Sequence, residues 1–281
     1  MKPHLSIPAL ASGAFLLLTL VLSGCASNKP AVEDETKNWS AQRLYAQAMD
    51  EMKAANYNKA SKLLEDIEAR YPYGRYAQQA QLEVAYAYYK DDQPASAVEA
   101  CNRFIKLHPN HPDVDYAYYL KGLSNFVSDQ TAFSRIAGQD ISERDTKDLV
   151  ASFDSFRELV TRYPDSKYVP DAKLRMKFLE NLLAEHEEHI ALYYFNRKAW
   201  VAAVERAQDT LTHYPQAPVN ELGLAIMTRA YAAMGAPNLS GDSRRVLQQN
   251  FPHSVWLDDK KPLVLHGITE PPHAWWRIWT S

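Results

Sequence analysis

Apolar residues return every three or four positions from about residue 40 onward, the period of helices that bury one face. Leu44, Ala48, Met49 and Met52 mark such a face on a helix that Ser40 can cap and that runs to about Ala54. Asn56-Tyr57 makes a turn. Lys59 to Arg70 forms a second helix, with Leu63, Leu64 and Ile67 inside, and Pro72 stops it. The pattern then recurs as Gln79 to Lys90, a turn at Asp91 to Gln93, and Pro94 to Leu107. A third pair is expected at Asp113 to Val127 and Thr146 to Arg162. Between its helices lie about 18 inserted residues, with Ser134-Arg135, Gly138 and the charged run Glu143-Arg144-Asp145. Long loops inside compact repeats often carry function. Pro170 starts a helix to about Phe195, roughly 39 Å at 1.5 Å per residue, with Leu174, Phe178, Leu182 and Tyr193 as its expected buried stripe. A last pair occupies about Val219 to Asn250.

The pairs share a signature. An aromatic or histidine precedes proline at Tyr71-Pro72, His108-Pro109, Tyr163-Pro164, Tyr214-Pro215 and Phe251-Pro252, with gaps of 37, 55, 51 and 37. Periods in the mid-thirties belong to helix-turn-helix repeats. Twelve residues before each proline stand Ala60, Ala97, Ser152, Ala203 and Ser240, all small, as a tetratricopeptide repeat requires where its two helices touch. Five residues before each proline stand Ile67, Phe104, Leu159, Thr210 and Leu247, four of them apolar. The fold class is therefore all-α, a solenoid of about five tetratricopeptide-like repeats, the third and fourth enlarged.

Composition agrees with this reading. The 281 residues carry a net charge of −3 and only nine glycines, and the sixteen prolines are spread along the chain as helix punctuation. With no long basic run, nucleic acid is not an expected partner. The N-terminus is different. After Lys2 and His4, Ala9 to Leu22 is an uncharged, mostly apolar run, too short to span a bilayer comfortably but suited to a signal-peptide core. It ends in Leu22-Ser23-Gly24-Cys25, which resembles the bacterial lipobox at every position. That resemblance implies cleavage between Gly24 and Cys25, a signal peptide over 1–24, and covalent lipid on Cys25 as the only prosthetic group. Several acyl chains anchor where one would not. Ala26, where lipoproteins kept in the inner membrane carry aspartate, implies the outer membrane. Residues 25–38 are polar and aperiodic, a tether. With Cys25 lipidated, Cys101 has no disulfide partner. It lies four residues after Ala97 on the packed face and reads as a small buried hydrophobe.

No enzyme signature emerges: no Gly-x-Ser-x-Gly, no P-loop, no glycine-rich dinucleotide turn. His186 and His189 are three apart, whereas zinc proteases place two histidines four apart on a helix. The pair reads as surface histidines, and no metal or other cofactor is expected. Residues 253–281 break the repeat pattern and contain Trp275-Trp276-Arg277-Ile278-Trp279. This segment suits a binding hot spot, a membrane interface, or a flap over the apolar end of the solenoid.

Several segments carry a specific likeness. They are Arg70-Tyr71-Pro72-Tyr73-Gly74-Arg75-Tyr76, Tyr86-Ala87-Tyr88-Tyr89-Lys90, Asp115-Tyr116, Lys121-Gly122-Leu123, Ser142-Glu143-Arg144-Asp145, and Tyr193-Tyr194 with Arg197-Lys198-Ala199-Trp200-Val201. Together with the lipobox and the two enlarged repeats, they resemble the BamD family, lipoproteins of the machinery that assembles outer-membrane β-barrels. The likeness runs from Cys25 to about Pro252. It implies a non-enzymatic role in barrel insertion, on the periplasmic face of the outer membrane. Implied partners are a BamA-like barrel subunit bound through a POTRA domain, other assembly lipoproteins, and unfolded barrel clients. Arg206 stands where a family arginine supports the BamA contact, and Arg197 lies on the same segment. Arg206 is read as following a helix, with room to reach out. Tyr73, Tyr76, Tyr86, Tyr88 and Tyr89 are candidates for a client groove, with packing between repeats as the competing reading.

The expected organisation is then a substrate-facing pair of repeats at 39–112, an enlarged repeat at 113–169, a partner-binding half at 170–252, and an aromatic extension at 253–281. A general scaffold for cell-envelope or cell-wall work is the alternative. Relatives of that kind share the Tyr163 to Tyr168 style of repeat, but usually bring a coiled coil and lack a lipobox.

Overall fold

The computed structural model of the chain describes residues 36–128 and 146–265. The chain divides into two units. In Met1–Ser40 the described part is a turn in which the Trp39 N–H donates to the Thr36 carbonyl at 2.9 Å. Ala41–Ser281 holds every described helix. These are α1 (Ala41–Lys53), α2 (Tyr57–Arg70), α3 (Arg75–Lys90), α4 (Pro94–Leu107), α5 (Val114–Ser128), α6 (Lys147–Arg162), α7 (Val169–Asn196), α8 (Trp200–His213), α9 (Asn220–Ala233) and α10 (Pro237–Asn250). Each packs on the next in chain order, as expected of a tetratricopeptide-type solenoid. The signal peptide, lipobox, most of the tether, the insert and the tryptophan segment lie outside the described residues.

One stop signal recurs five times. Tyr71, His108, Tyr163, Tyr214 and Phe251 follow the second helices with φ between −128° and −132° and ψ between 55° and 68°. Each still donates its N–H to the carbonyl four residues back, on Ile67, Phe104, Leu159, Thr210 and Leu247. The following proline excludes the helical region for these residues, so each chain leaves the helix at the same angle. The turns inside the repeats share a different device. Ala55, Asp92, Lys198 and Gly235 have φ of 58°, 56°, 62° and 73°. The next N–H reaches back to Glu51, Tyr88, Tyr194 and Tyr231, the long bond of a Schellman cap.

The small positions are where the paired helices approach. Ala60, Ala97, Ser152 and Ala203 are fully buried. The two serines add a bond that alanine lacks: Ser152 donates to the Gly122 carbonyl and Ser240 to the Thr228 carbonyl, both at 2.8 Å. Thr210, the polar member of the other series, is fully buried and donates to the Arg206 carbonyl at 3.1 Å. Cys101 is buried, which pushes its thiol up to about 12 and leaves no reactive thiolate.

Two expectations need correction. Helix α3 begins at Arg75, four residues before Gln79, because Gly74 at φ 100° turns the chain straight into it. In α7 Phe178 and Leu182 are buried, but Leu174 and Tyr193 are 58% and 53% exposed. A row of residues spaced by four drifts about 40° per step around a helix, and this helix changes neighbours along its 28 residues. It packs on α6, then on α8 and α9. The buried stripe follows those neighbours through Leu179, Leu183, Ala184, Glu188 and Ala191. Beyond α10 a short turn at Val255–Leu257 places Trp256, Leu257 and Leu263 over Leu224, Ala225 and Leu247. Arg229 donates to the carbonyls of Asp258 and Lys261, and Arg244 to that of Leu257, so the segment is tied down.

Candidate functional site

The first helix of each repeat also lies beside the first helix of a neighbour: α1 with α3, α3 with α5, α7 with α9. Their shared side forms the inner face. On α3, Tyr76, Glu83 and Tyr86 are spaced by seven and ten residues and so project together. Tyr45 of α1 packs on Tyr76 with ring centroids 5.6 Å apart. Tyr116 of α5 lies 5.4 Å from Tyr168, which stacks on Tyr119 at 4.8 Å. The Tyr119 hydroxyl donates to Asp171 at 2.6 Å, and Arg175 of α7 donates to the same carboxylate oxygen. A belt of tyrosines thus crosses the inner face from α1 to α5, and Tyr119, buried beneath it, ties α5 to α7.

Glu83 sits inside the belt. It is half-buried, and burial, with Asp113 adding to it, raises its carboxyl above the ordinary value. The phenols of Tyr45, Tyr86 and Tyr116 are all raised, mainly by burial and in part by the charge of Glu83. Among the described residues Glu83 has no hydrogen bond or ion pair.

The five candidate tyrosines separate. Tyr76 and Tyr86 belong to the belt, and Tyr89 lies close enough to Arg175 to feel its charge. Tyr88 points to the other side of α3. Its hydroxyl donates to Glu65 of α2, and burial together with that carboxylate pushes the phenol up to about 12. Tyr73 is 92% exposed in the connection between α2 and α3. Sequence reading missed Tyr45, Glu83, Tyr116, Tyr119, Tyr168 and Arg175. The first-helix spacing of Tyr76, Glu83 and Tyr86 was the available signal. The partners from other helices carried none.

Arg206 does not follow a helix. It lies inside α8, and its Nη1 donates to Glu187 of α7 at 2.9 Å, with the Arg206 side chain still 43% exposed. Its packed neighbours explain the error: Ala203 and Ala207 on α8 are core residues, so Arg206 rises from the helix flank. Arg197 closes α7 and stacks over the exposed Tyr193 ring at 4.8 Å. Glu187 and Tyr193 are six residues apart on α7, about 9 Å along its axis. Six residues also turn about 120° around the helix, so the two arginines meet different sides of α7 and make no shared contact. Behind Arg206, Glu188 is fully buried against Gly223 of α9. Neither carboxylate oxygen has a well-aligned hydrogen-bond partner. Burial pushes this carboxyl up to about 8, the Thr210 hydroxyl pulling the other way and Glu187 adding to the rise. His186 and His189 lie on α7, and no group of three or more potential ligands is placed to hold a metal among the described residues.

A family described as YfiO, outer membrane lipoprotein, matches residues 37–257, which takes in all ten described helices. The chain belongs to that family. Among curated relatives, the outer membrane protein assembly factor BamD of Neisseria meningitidis (serogroup A, strain Z2491) is 44% identical over 264 residues, covering 93% of this chain and 96% of that protein. The BamD of Xylella fastidiosa (strain Temecula1) is 37% identical over 249 residues, 88% of this chain and 84% of the relative. The BamD of Vibrio cholerae El Tor is 33% identical over 235 residues, 84% and 96%. Among solved structures, the tetratricopeptide domain of P58(IPK) is 16% identical with a TM-score of 0.38, over 77% of this chain and 52% of that one, a loose likeness. The family match runs past Pro252 to residue 257, so it includes the turn that carries Trp256.

Proposed function

We propose that this chain is a non-enzymatic outer-membrane lipoprotein subunit that assists assembly of outer-membrane β-barrels. The observation that carries the reading is near-full-length similarity, at 44% identity, to a protein named outer membrane protein assembly factor. Cys25 bears the lipid, and the chain hangs on the periplasmic face. No helix among the described residues is long and apolar enough to cross a membrane, which fits a lipid anchor. The belt of Tyr76, Tyr86 and Tyr89, with Tyr45 and Tyr116, receives unfolded client segments: tyrosine rings give area and hydrogen bonds at little entropic cost. The flank of α7 and α8, with Arg206 and Arg197, seats a POTRA domain of a BamA-like subunit. Other assembly lipoproteins complete the complex.

The test is a mild-detergent pull-down of tagged protein from its own cells. Wild type should bring down a near-stoichiometric barrel protein with POTRA domains. Arg206→Glu places a second carboxylate against Glu187 and should lose that partner. Its stability should fall by about 1 kcal/mol, since the pair is only partly buried and water still screens it. Undiminished copurification of the folded variant would remove Arg206 from the interface. Recovery of cell-wall proteins in place of a barrel would overturn the assembly role.

A further inference from the structure

The inner face contains an acid that the fold itself does not use. Several other carboxylates of the repeats are engaged, and Glu188, which is not, is fully buried against Gly223 and closed to any ligand. Glu51 takes Asn56 at 2.8 Å and Lys59 at 2.6 Å, Glu187 takes Arg206, Asp171 takes Tyr119 and Arg175, and Glu65 takes Tyr88. Glu83 takes nothing among the described residues, although its surroundings already raise the energy of its charge. A carboxylate held half out of water beside aromatic rings, with a second acid, Asp113, nearby, creates a negative potential that a cation would relieve. The rings add to this. Tyrosine faces attract ammonium and guanidinium groups within about 6 Å. One such contact is already present at the rim, where the Arg75 guanidinium lies 4.8 Å from the Tyr76 centroid. Tyr45 comes from α1, Tyr76, Glu83 and Tyr86 from α3, and Tyr116 from α5, so the frame exists only when three repeats are stacked.

From this charge complementarity we propose that Glu83 and the tyrosines around it form a subsite for one lysine or arginine side chain of a bound, extended polypeptide. The proposal rests on the reading that the inner face receives client segments, and adds what that face selects: aromatic residues for area, and one cation to set the register. Aromatic stacking alone would let a segment slide along the belt. A single charge-assisted pair, about twice as strong as a neutral hydrogen bond, fixes its position.

The test uses the full-length lipoprotein in detergent micelles. The probes are ten-residue synthetic peptides alternating tyrosine or phenylalanine with serine. One lysine is walked through the polar positions, and a norleucine is walked in parallel. Binding is read by fluorescence anisotropy. At one register the lysine peptide should bind about tenfold more tightly than its norleucine counterpart. Glu83→Gln should abolish that difference, so that lysine and norleucine peptides bind the variant alike, and its circular dichroism melt should fall no lower than that of wild type. Lysine and norleucine peptides binding alike at every register, or a difference that survives in Glu83→Gln, overturns the subsite and leaves the groove. Binding of neither series to wild type removes the groove and the subsite together. Lysine-dependent binding that appears only in an Arg277→Gln chain would give the subsite to the protein's own tail and overturn an external occupant.

Discussion

At the scale of single residues, Glu188 departs furthest from ordinary chemistry. A fully buried carboxyl with a pKa near 8 is neutral through most of the physiological range. The folded value lies above the unfolded one, so the stability linked to this group is fully present below about pH 4.5 and is lost as pH rises toward 8. Glu188→Gln removes the ionisation and keeps the shape against Gly223. Its stability should draw ahead of wild type between pH 4.5 and 8, by on the order of 1–3 kcal/mol, then hold level above that. Denaturant melts at several pH values measure this. Parallel curves for the two proteins would show that Glu188 ionises freely in the folded state.

At the scale of helices and turns, two glycine-related positions decide the local geometry in opposite senses. Gly122 of α5 lies against Phe156 of α6 so closely that an added methyl would sit 2.6 Å from the ring. Gly122→Ala should force α5 and α6 apart and cost about 1–3 kcal/mol, seen as a lower denaturation midpoint. A neutral result would mean that the Phe156 ring can rotate away. Lys198 holds φ at 62° between α7 and α8, a conformation that penalises any side chain. Lys198→Gly should stabilise the fold by about 0.5–1 kcal/mol, because glycine relieves the strain by more than it adds in unfolded-state entropy. Equal or lower stability would show that Lys198 makes a compensating contact.

For the whole molecule the question is what closes the stack. Each repeat gains stability only from its neighbours, so the exposed end of α9 and α10 must be covered. Trp256 does this. It packs against both C-terminal core clusters and donates its indole N–H to the Pro262 carbonyl at 3.1 Å. Trp256→Ala should cost about 2 kcal/mol. Amide-exchange protection should fall in α9 and α10 and stay unchanged in α1 to α4. Uniform loss along the chain would instead mean that the repeats unfold as one unit.

Sequence alone determined the repeat count, the second-helix stops and the small contact positions, because each follows from local chemistry. Proline excludes the preceding residue from the helix wherever it occurs, and a close helix crossing admits only a small side chain in any repeat. The same logic placed Cys101 in the core. Tertiary structure decided what depends on neighbours far along the chain. The stripe of α7 moved away from Leu174 and Tyr193 because different helices flank its two halves. Arg206 found Glu187 on another helix. Tyr88 left the inner face for Glu65, while Tyr45, Tyr116 and Tyr168 joined it from separate repeats. Glu83 reads in the sequence as one more solvated charge on a helix. Only the stacking of three repeats surrounds it with tyrosines and takes it half out of water.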